Sequence, residues 1–253
     1  MEKVEINGDL FESLHKNNFI RALIDAGVLG KTRRVNLETG MIELTLPPGS
    51  QDIQHDWIHT RQDKDEECGP YHTMFKAFGF IPTPCLSCWK VVVKPRTIVE
   101  LFKLYNLQVD LNRQCKCGIE QWRPYVNPLY GGYFYNESKE EGFERYHEVR
   151  QSVDEQISPD VPVVLKRFCT EFELRFGDSK GYQQPKMAKK WEAMMDKWYV
   201  RYPSCKEQSP LIVIDIMERW IHFAMRYGDP TVKEINNGEF LYPSPRTYHE
   251  EEE

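Results

Sequence analysis

Between positions 68 and 117 the chain carries five of its seven cysteines: Cys68, the pair Cys85 and Cys88 in Pro84-Cys85-Leu86-Ser87-Cys88-Trp89, and the pair Cys115 and Cys117 in Gln114-Cys115-Lys116-Cys117-Gly118. Thiolates brought together bind a soft metal, which can hold a fold together or carry chemistry. Tetrahedral zinc takes four ligands from Cys and His. The best set is therefore Cys68, Cys85, Cys88 and one of Cys115 or Cys117, with His72 approaching through its Cys-x3-His spacing from Cys68. An iron–sulfur cluster also takes four thiolates and spans a greater width. Two other readings compete: a free cysteine is often only a small buried hydrophobe, and Cys85 with Cys88 has the spacing of a disulfide-exchange pair.

The elements around these residues follow from apolar periodicity. Leu10 to Ala26 reads as a helix closed by Gly27 and Gly30, and residues 34–46 alternate around Thr39-Gly40 as a hairpin. The acidic run Asp63 to Glu67 reads as a solvated loop before Cys68. Lys90 to Lys94 is a buried strand that Pro95 stops. Thr97 then caps a helix with Ile98, Leu101, Phe102, Tyr105 and Val109 on one face, and Glu100 completes a capping box. Cys115 to Trp122 and Leu129 to Tyr135 are two further strands. Ser138 caps a helix with Phe143, Tyr146, Val149, Val153 and Ile157 inward. Val161 to Phe176 reads as one long strand, with Cys169, Glu171, Glu173 and Arg175 alternating on one face. Beyond Gly177 two helices carry Trp and Met stripes that read as core.

Strand, helix, strand, strand, helix, strand is the order of a ferredoxin-like split βαβ sandwich (βαββαβ), so the expected class is α+β. An N-terminal helix and hairpin extension (1–84), the core (85–177) and C-terminal helices with an acidic tail (178–253) make up the chain. In such a sheet the first two strands run parallel on either side of the third, which brings both cysteine pairs to one end. Cys169, on the last strand, runs toward that end and, with Glu171, is an additional candidate ligand. Two parallel strands separated by a third stand about 10 Å apart, so one ion reaches both pairs only if the Cys85 loop folds over.

A second motif is Leu129-Tyr130-Gly131-Gly132-Tyr133-Phe134-Tyr135. Paired glycines in a strand let a ligand or another backbone approach. Their place between two helices resembles the Gly-Gly hairpin of diguanylate-cyclase-type palm domains. Tyr133 and Phe134 stand where those domains carry acidic residues, so the resemblance does not carry cyclase activity. The same stretch resembles the aromatic strand of an RNA-recognition motif, with Gly131, Gly132, Tyr133, Tyr135 and Arg123 as the ligand-binding candidates. From Cys88 to Phe176, however, 13 Lys and Arg balance 13 Asp and Glu, so nucleic acid is not the favoured partner. Glu171 with Glu173 is a carboxylate pair whose simpler reading is a solvated face balanced by Arg175. His55 and His59 have a helical ligand spacing without a recognisable ligand set around them.

The 253 residues are 40% hydrophobic and 28% charged with a net charge of -6, the composition of a globular protein. Binding phosphate backbones needs clustered positive charge, which this balance opposes. No apolar run is long enough to cross a membrane, and the charged start Met1-Glu2-Lys3-Val4-Glu5 gives no secretory signal. The expected setting is cytoplasmic and reducing, where thiols stay free. No Walker A loop, Gly-x-Gly-x-x-Gly or Gly-x-Ser-x-Gly is present. The sequence therefore points to a cysteine-ligated metal, structural zinc ahead of an iron–sulfur redox centre, in a binding or scaffold protein.

Overall fold

The structure is a computed structural model that describes residues 8–30, 33–45, 56–61, 68–120, 126, 129–201 and 208–235, with only the backbone for 8–15. The class is α+β. Among the described residues a five-stranded sheet, a two-stranded sheet and eight helices follow the order α1 (Gly8–Asp25), β1 (Arg33–Val35), β2 (Ile42–Leu44), β3 (Trp57–Arg61), α2 (Cys68–Phe78), β4 (Trp89–Val93), α3 (Ile98–Leu111), β5 (Cys115–Ile119), β6 (Tyr130–Asn136), α4 (Lys139–Gln156), β7 (Val163–Arg167), α5 (Thr170–Phe176), α6 (Ala188–Trp198), α7 (Pro210–Tyr227) and α8 (Val232–Ile235). Strands β1 and β2 form the small hairpin sheet. The main sheet has the order β3-β5-β6-β4-β7, with every neighbouring pair antiparallel.

Alternation along the strands decides which face is covered. Val91, Val93, Cys115, Cys117, Ile119, Tyr130 and Phe134 join one core with Leu101, Leu104 and Leu107 of α3, Val149 and Val153 of α4, and Trp220 and Phe223 of α7. A period of two then directs Lys90, Val92, Lys116, Tyr133 and Tyr135 to the opposite face. A second cluster joins α1, β2, α2 and α6 through Phe19, Ile42, Met74 and Met195. A third joins α2 to the end of the sheet through Phe75, Cys85, Phe168 and Phe172.

Both core helices start on a side-chain cap. Thr97 Oγ1 accepts from Glu100 N at 3.2 Å, and Ser138 Oγ accepts from Glu141 N at 3.1 Å; such a cap stabilises by about 1 kcal/mol. The return bond starts one residue before the usual capping box: Glu100 accepts from Arg96 N at 2.6 Å and Glu141 from Glu137 N at 2.9 Å. Val109 and Phe143, expected inside, are 46% and 48% exposed, because each lies past the edge of its helix's buried stripe.

The largest departure from the sequence reading is the long strand 161–176. Strand β7 ends at Arg167, and residues 170–176 are helix α5. Phe168, Phe172 and Phe176 are four apart as well as evenly spaced, so their pattern fits a helix face as well as a strand face. The backbone decides between them at Phe168, whose φ of 69° is left-handed and breaks the strand. Glu171, Glu173 and Arg175 therefore do not share a strand face with Cys169. Strand β3, absent from the sequence reading, extends the sheet beside β5 and carries His59 on a strand rather than a helix. His55, the run Asp63 to Glu67, Arg123 and the acidic tail lie outside the described residues.

Candidate metal centre

Four segments meet where β4 and β5 begin and β7 ends. Helix α2 brings Cys68 and His72, one turn apart on the same side. Next comes a short 3-10 turn, Thr83–Ser87, in which Cys85 N donates to Pro82 O at 2.9 Å and Cys88 N to Cys85 O at 3.3 Å. It leads into β4, which carries Lys90. The fourth segment is the break after β7. Phe168 N donates to Cys88 O at 3.2 Å, and Arg167 Nε donates to Leu86 O at 2.7 Å, so the end of β7 is tied to the cysteine turn. A non-glycine residue at positive φ is a strained backbone that must be held by its surroundings. Here the fully buried Phe168 ring holds it, and the next residue is Cys169.

His72, Cys169 and Glu171 each offer one ligand atom, and these atoms lie within 4.8 Å of one another; among the described residues no other group of three or more does so. Two of the three come from a turn and helix that the sequence reading took for a strand. Lys90, only 7% exposed, donates from Nζ to Cys169 Sγ at 2.9 Å. Burial alone would raise the Cys169 thiol, but the Lys90 ammonium and the hydrogen bond from His72 outweigh it and lower the pKa to about 6. Cys169 is thus a thiolate at neutral pH. The ion pair acts in return on Lys90: burial disfavours its charge, yet the Cys169 thiolate, then Cys88 and Tyr135, hold its pKa well above the ordinary lysine value.

The other thiols of this end feel one another. Burial is the main reason that Cys85 resists ionisation, followed by the negative charge of Cys169, then Cys68, then Cys88. Burial raises Tyr135 as well, with Lys90 opposing and the charges of Cys68, Cys88 and Cys169 adding to the rise. Cys68, Cys85, Cys88 and Tyr135 line a cavity of about 360 Å³. All six described cysteines are free thiols.

Cys115 and Cys117 lie elsewhere. Both point into the core between the sheet and α3, α4 and α7, at 1% and 0% exposure. Burial pushes the Cys115 thiol up to about 12 and Cys117 well above its ordinary value. The structure thus brings Cys68, Cys85 and Cys88 to the same end as Cys169; β5 begins at that end too, but Cys115 and Cys117 point to its other, core-facing side. The Cys-x-Cys spacing reflects two successive inward positions of one strand.

The Gly-Gly motif has a packing cause. A Cβ on Gly132 would lie 2.4 Å from Leu104 Cδ2, so only glycine lets α3 come this close to the sheet. On the opposite face Gly131 lies under Trp57, with Glu120 and Tyr133 beside it. The Tyr133 hydroxyl donates to Glu120, its ring meets Trp57 at 5.5 Å, and Lys116 sits 4.8 Å above Trp57. Tyr135 packs near Lys90 at 5.8 Å.

Lys90 is the residue whose role the sequence reading missed. In the sequence it figures as the start of the buried strand Lys90 to Lys94, although its place one residue off the inward Val91 sets it on the face away from the helices. Comparison with protein-family models, with curated proteins and with solved structures finds no match to this chain.

Proposed function

We propose that this protein binds a metal ion at the cysteine-bearing end of the sheet, with Cys169, His72 and Glu171 as ligands and zinc as the ion. The observation that carries the reading is the approach of their three ligand atoms to within 4.8 Å. The donor set is sulfur, nitrogen and oxygen. Calcium and magnesium take oxygen alone, whereas zinc accepts all three. Lys90 would serve as the outer partner of the thiolate, since an N–H donor to a ligand sulfur orients it and moderates its charge. Three protein ligands leave one place on a tetrahedral ion. Cys85, buried in the turn at the same end of the sheet, is the neighbour that would fill it. The ion would clamp α2, the 83–87 turn and α5 onto the sheet, which is a structural role in a binding or scaffold protein. The strand order β5-β6-β4-β7 supports reading the core as a ferredoxin-like split βαβ sandwich with β3 added at one edge.

Cobalt(II) substitution tests the ligand set. Thiolate-to-cobalt absorption is expected in the wild type and in Cys117→Ala, and is expected to vanish in Cys169→Ala. A thiolate band that persists in Cys169→Ala, or one missing from the wild type, overturns the assignment.

One observation favours a second reading, an iron–sulfur centre. Cys68, Cys85, Cys88 and Cys169 act on one another electrostatically, yet no three of them fall within 4.8 Å. That spread suits a cluster, which takes four thiolates over a greater width than one ion. Visible absorption that bleaches on reduction after anaerobic preparation would establish the cluster; a colourless protein holding zinc removes it.

A further inference from the structure

The cavity beside the thiols has walls that the metal reading does not use. Three arginines reach it from separate elements: Arg61 at the end of β3, Arg113 after α3, and Arg145 on α4. They are fixed in place. Arg61 Nη1 donates to Asn112 O at 2.9 Å. Arg113 Nη2 donates to Glu148 Oε1 at 3.3 Å, and Arg145 Nη1 donates to the other oxygen of the same carboxylate. One carboxylate thus holds two guanidiniums side by side, and Arg145 is only 15% exposed.

The lining itself carries an excess of positive charge. Glu148 is not part of the wall; the acids that line it are Glu137 and Glu141, and Glu141 turns an oxygen to the backbone of Glu137 as part of its cap. The three lining arginines outnumber the two lining carboxylates. Low dielectric strengthens such an excess, and planar guanidiniums match oxyanions in pairs.

A buried acceptor gives the second observation. Asn136, on the cavity wall and 4% exposed, donates from Nδ2 to Phe134 O, while its Oδ1 has no hydrogen-bond partner. Leaving such a buried atom unmet is unfavourable. A ligand that offers an N–H or O–H group would meet it. At about 360 Å³ the cavity falls within the range of small-molecule pockets, at its small end.

We propose that this cavity binds a small oxyanion that also carries a hydrogen-bond donor, a phosphate or a hydroxy- or amino-carboxylate, between Arg61, Arg113, Arg145 and Asn136. It rests on the arginine and asparagine walls and not on the metal reading above. Titration calorimetry with inorganic phosphate and with glycolate, at constant ionic strength set by chloride, tests it on protein of measured metal content. Saturable binding of one equivalent is expected for at least one probe, and the stronger probe identifies the source of the oxyanion. Affinity is expected to fall tenfold or more in Arg61→Gln and in Arg145→Gln, with metal content unchanged, and to stay constant in Arg226→Gln. Arg61→Gln alone decides the matter if Arg145→Gln does not fold. Protein that binds neither probe, or binds them equally in Arg61→Gln, overturns this inference, and its measured metal content decides the metal centre separately. Oxyanion binding by a protein that holds no metal leaves the cavity assignment standing and sinks the metal centre instead.

Discussion

Cys115 and Cys117 on β5 and Cys169 after β7 carry the same thiol group and meet opposite surroundings. The β5 pair is sealed among Leu, Val and Trp side chains under the helices, where burial raises both thiols. Cys169 is also substantially covered, yet an ammonium at 2.9 Å and an imidazole reverse the sign of its shift. Burial alone therefore says little about a cysteine; the charge of its neighbours decides whether it is packing or chemistry.

The largest expected contrast is in alkylation of metal-free protein by iodoacetamide. With a pKa of about 6, Cys169 is mostly thiolate at pH 7, and its rate should rise as pH climbs through 6 and then level off. Cys115, pushed up to about 12, and Cys117 should stay unlabelled in the folded protein. A ratio of at least roughly a hundredfold follows from the thiolate fractions, even after allowing for the weaker nucleophilicity of a low-pKa thiol. Comparable labelling of all three, read by peptide mass spectrometry, would erase the distinction between the two regions.

Next in size is Cys117→Ser. Placing a hydroxyl among apolar side chains without a partner should cost about 1–3 kcal/mol in denaturant unfolding, with metal content unaltered. If the variant folds normally but loses metal, the core assignment of Cys117 is wrong. Smaller still is Cys88→Ser at the partly exposed edge of the cavity, expected to change stability by no more than about 0.5 kcal/mol and to keep the ion. Loss of all metal from that variant would favour the four-thiolate cluster over the zinc centre.

Much of the framework was legible in the sequence because short-range physics wrote it there. Thr97 and Ser138 announced their helices through the oxygen each offers to a free N–H, and Ile98, Leu101, Val149 and Val153 declared their faces through period. The stretch after Arg167 was not legible, because phenylalanines spaced by four satisfy both periods and only the left-handed turn at Phe168 separates them. The candidate centre was half legible. Cys169, Glu171 and His72 stood out as ligand types, but the loop approach that joins them is a tertiary matter, set by bonds such as Phe168 N to Cys88 O. Cys115 and Cys117 stood out just as clearly and went to the core, since a spacing of two is what an inward strand face produces anyway. Arg61, Arg113 and Arg145 had no local signal, because only the fold brings such distant positions to one wall.

The most direct trial is elemental analysis of the wild-type protein, purified without chelator and under anaerobic conditions, beside Cys169→Ala. About one equivalent of zinc per chain is expected in the first and less than about a tenth in the second, the occupancy of a tetrahedral site that depends on its thiolate. Wild-type protein that is folded and holds less than about a tenth of an equivalent of any transition metal would contradict the assignment of Cys169, His72 and Glu171 as a metal centre.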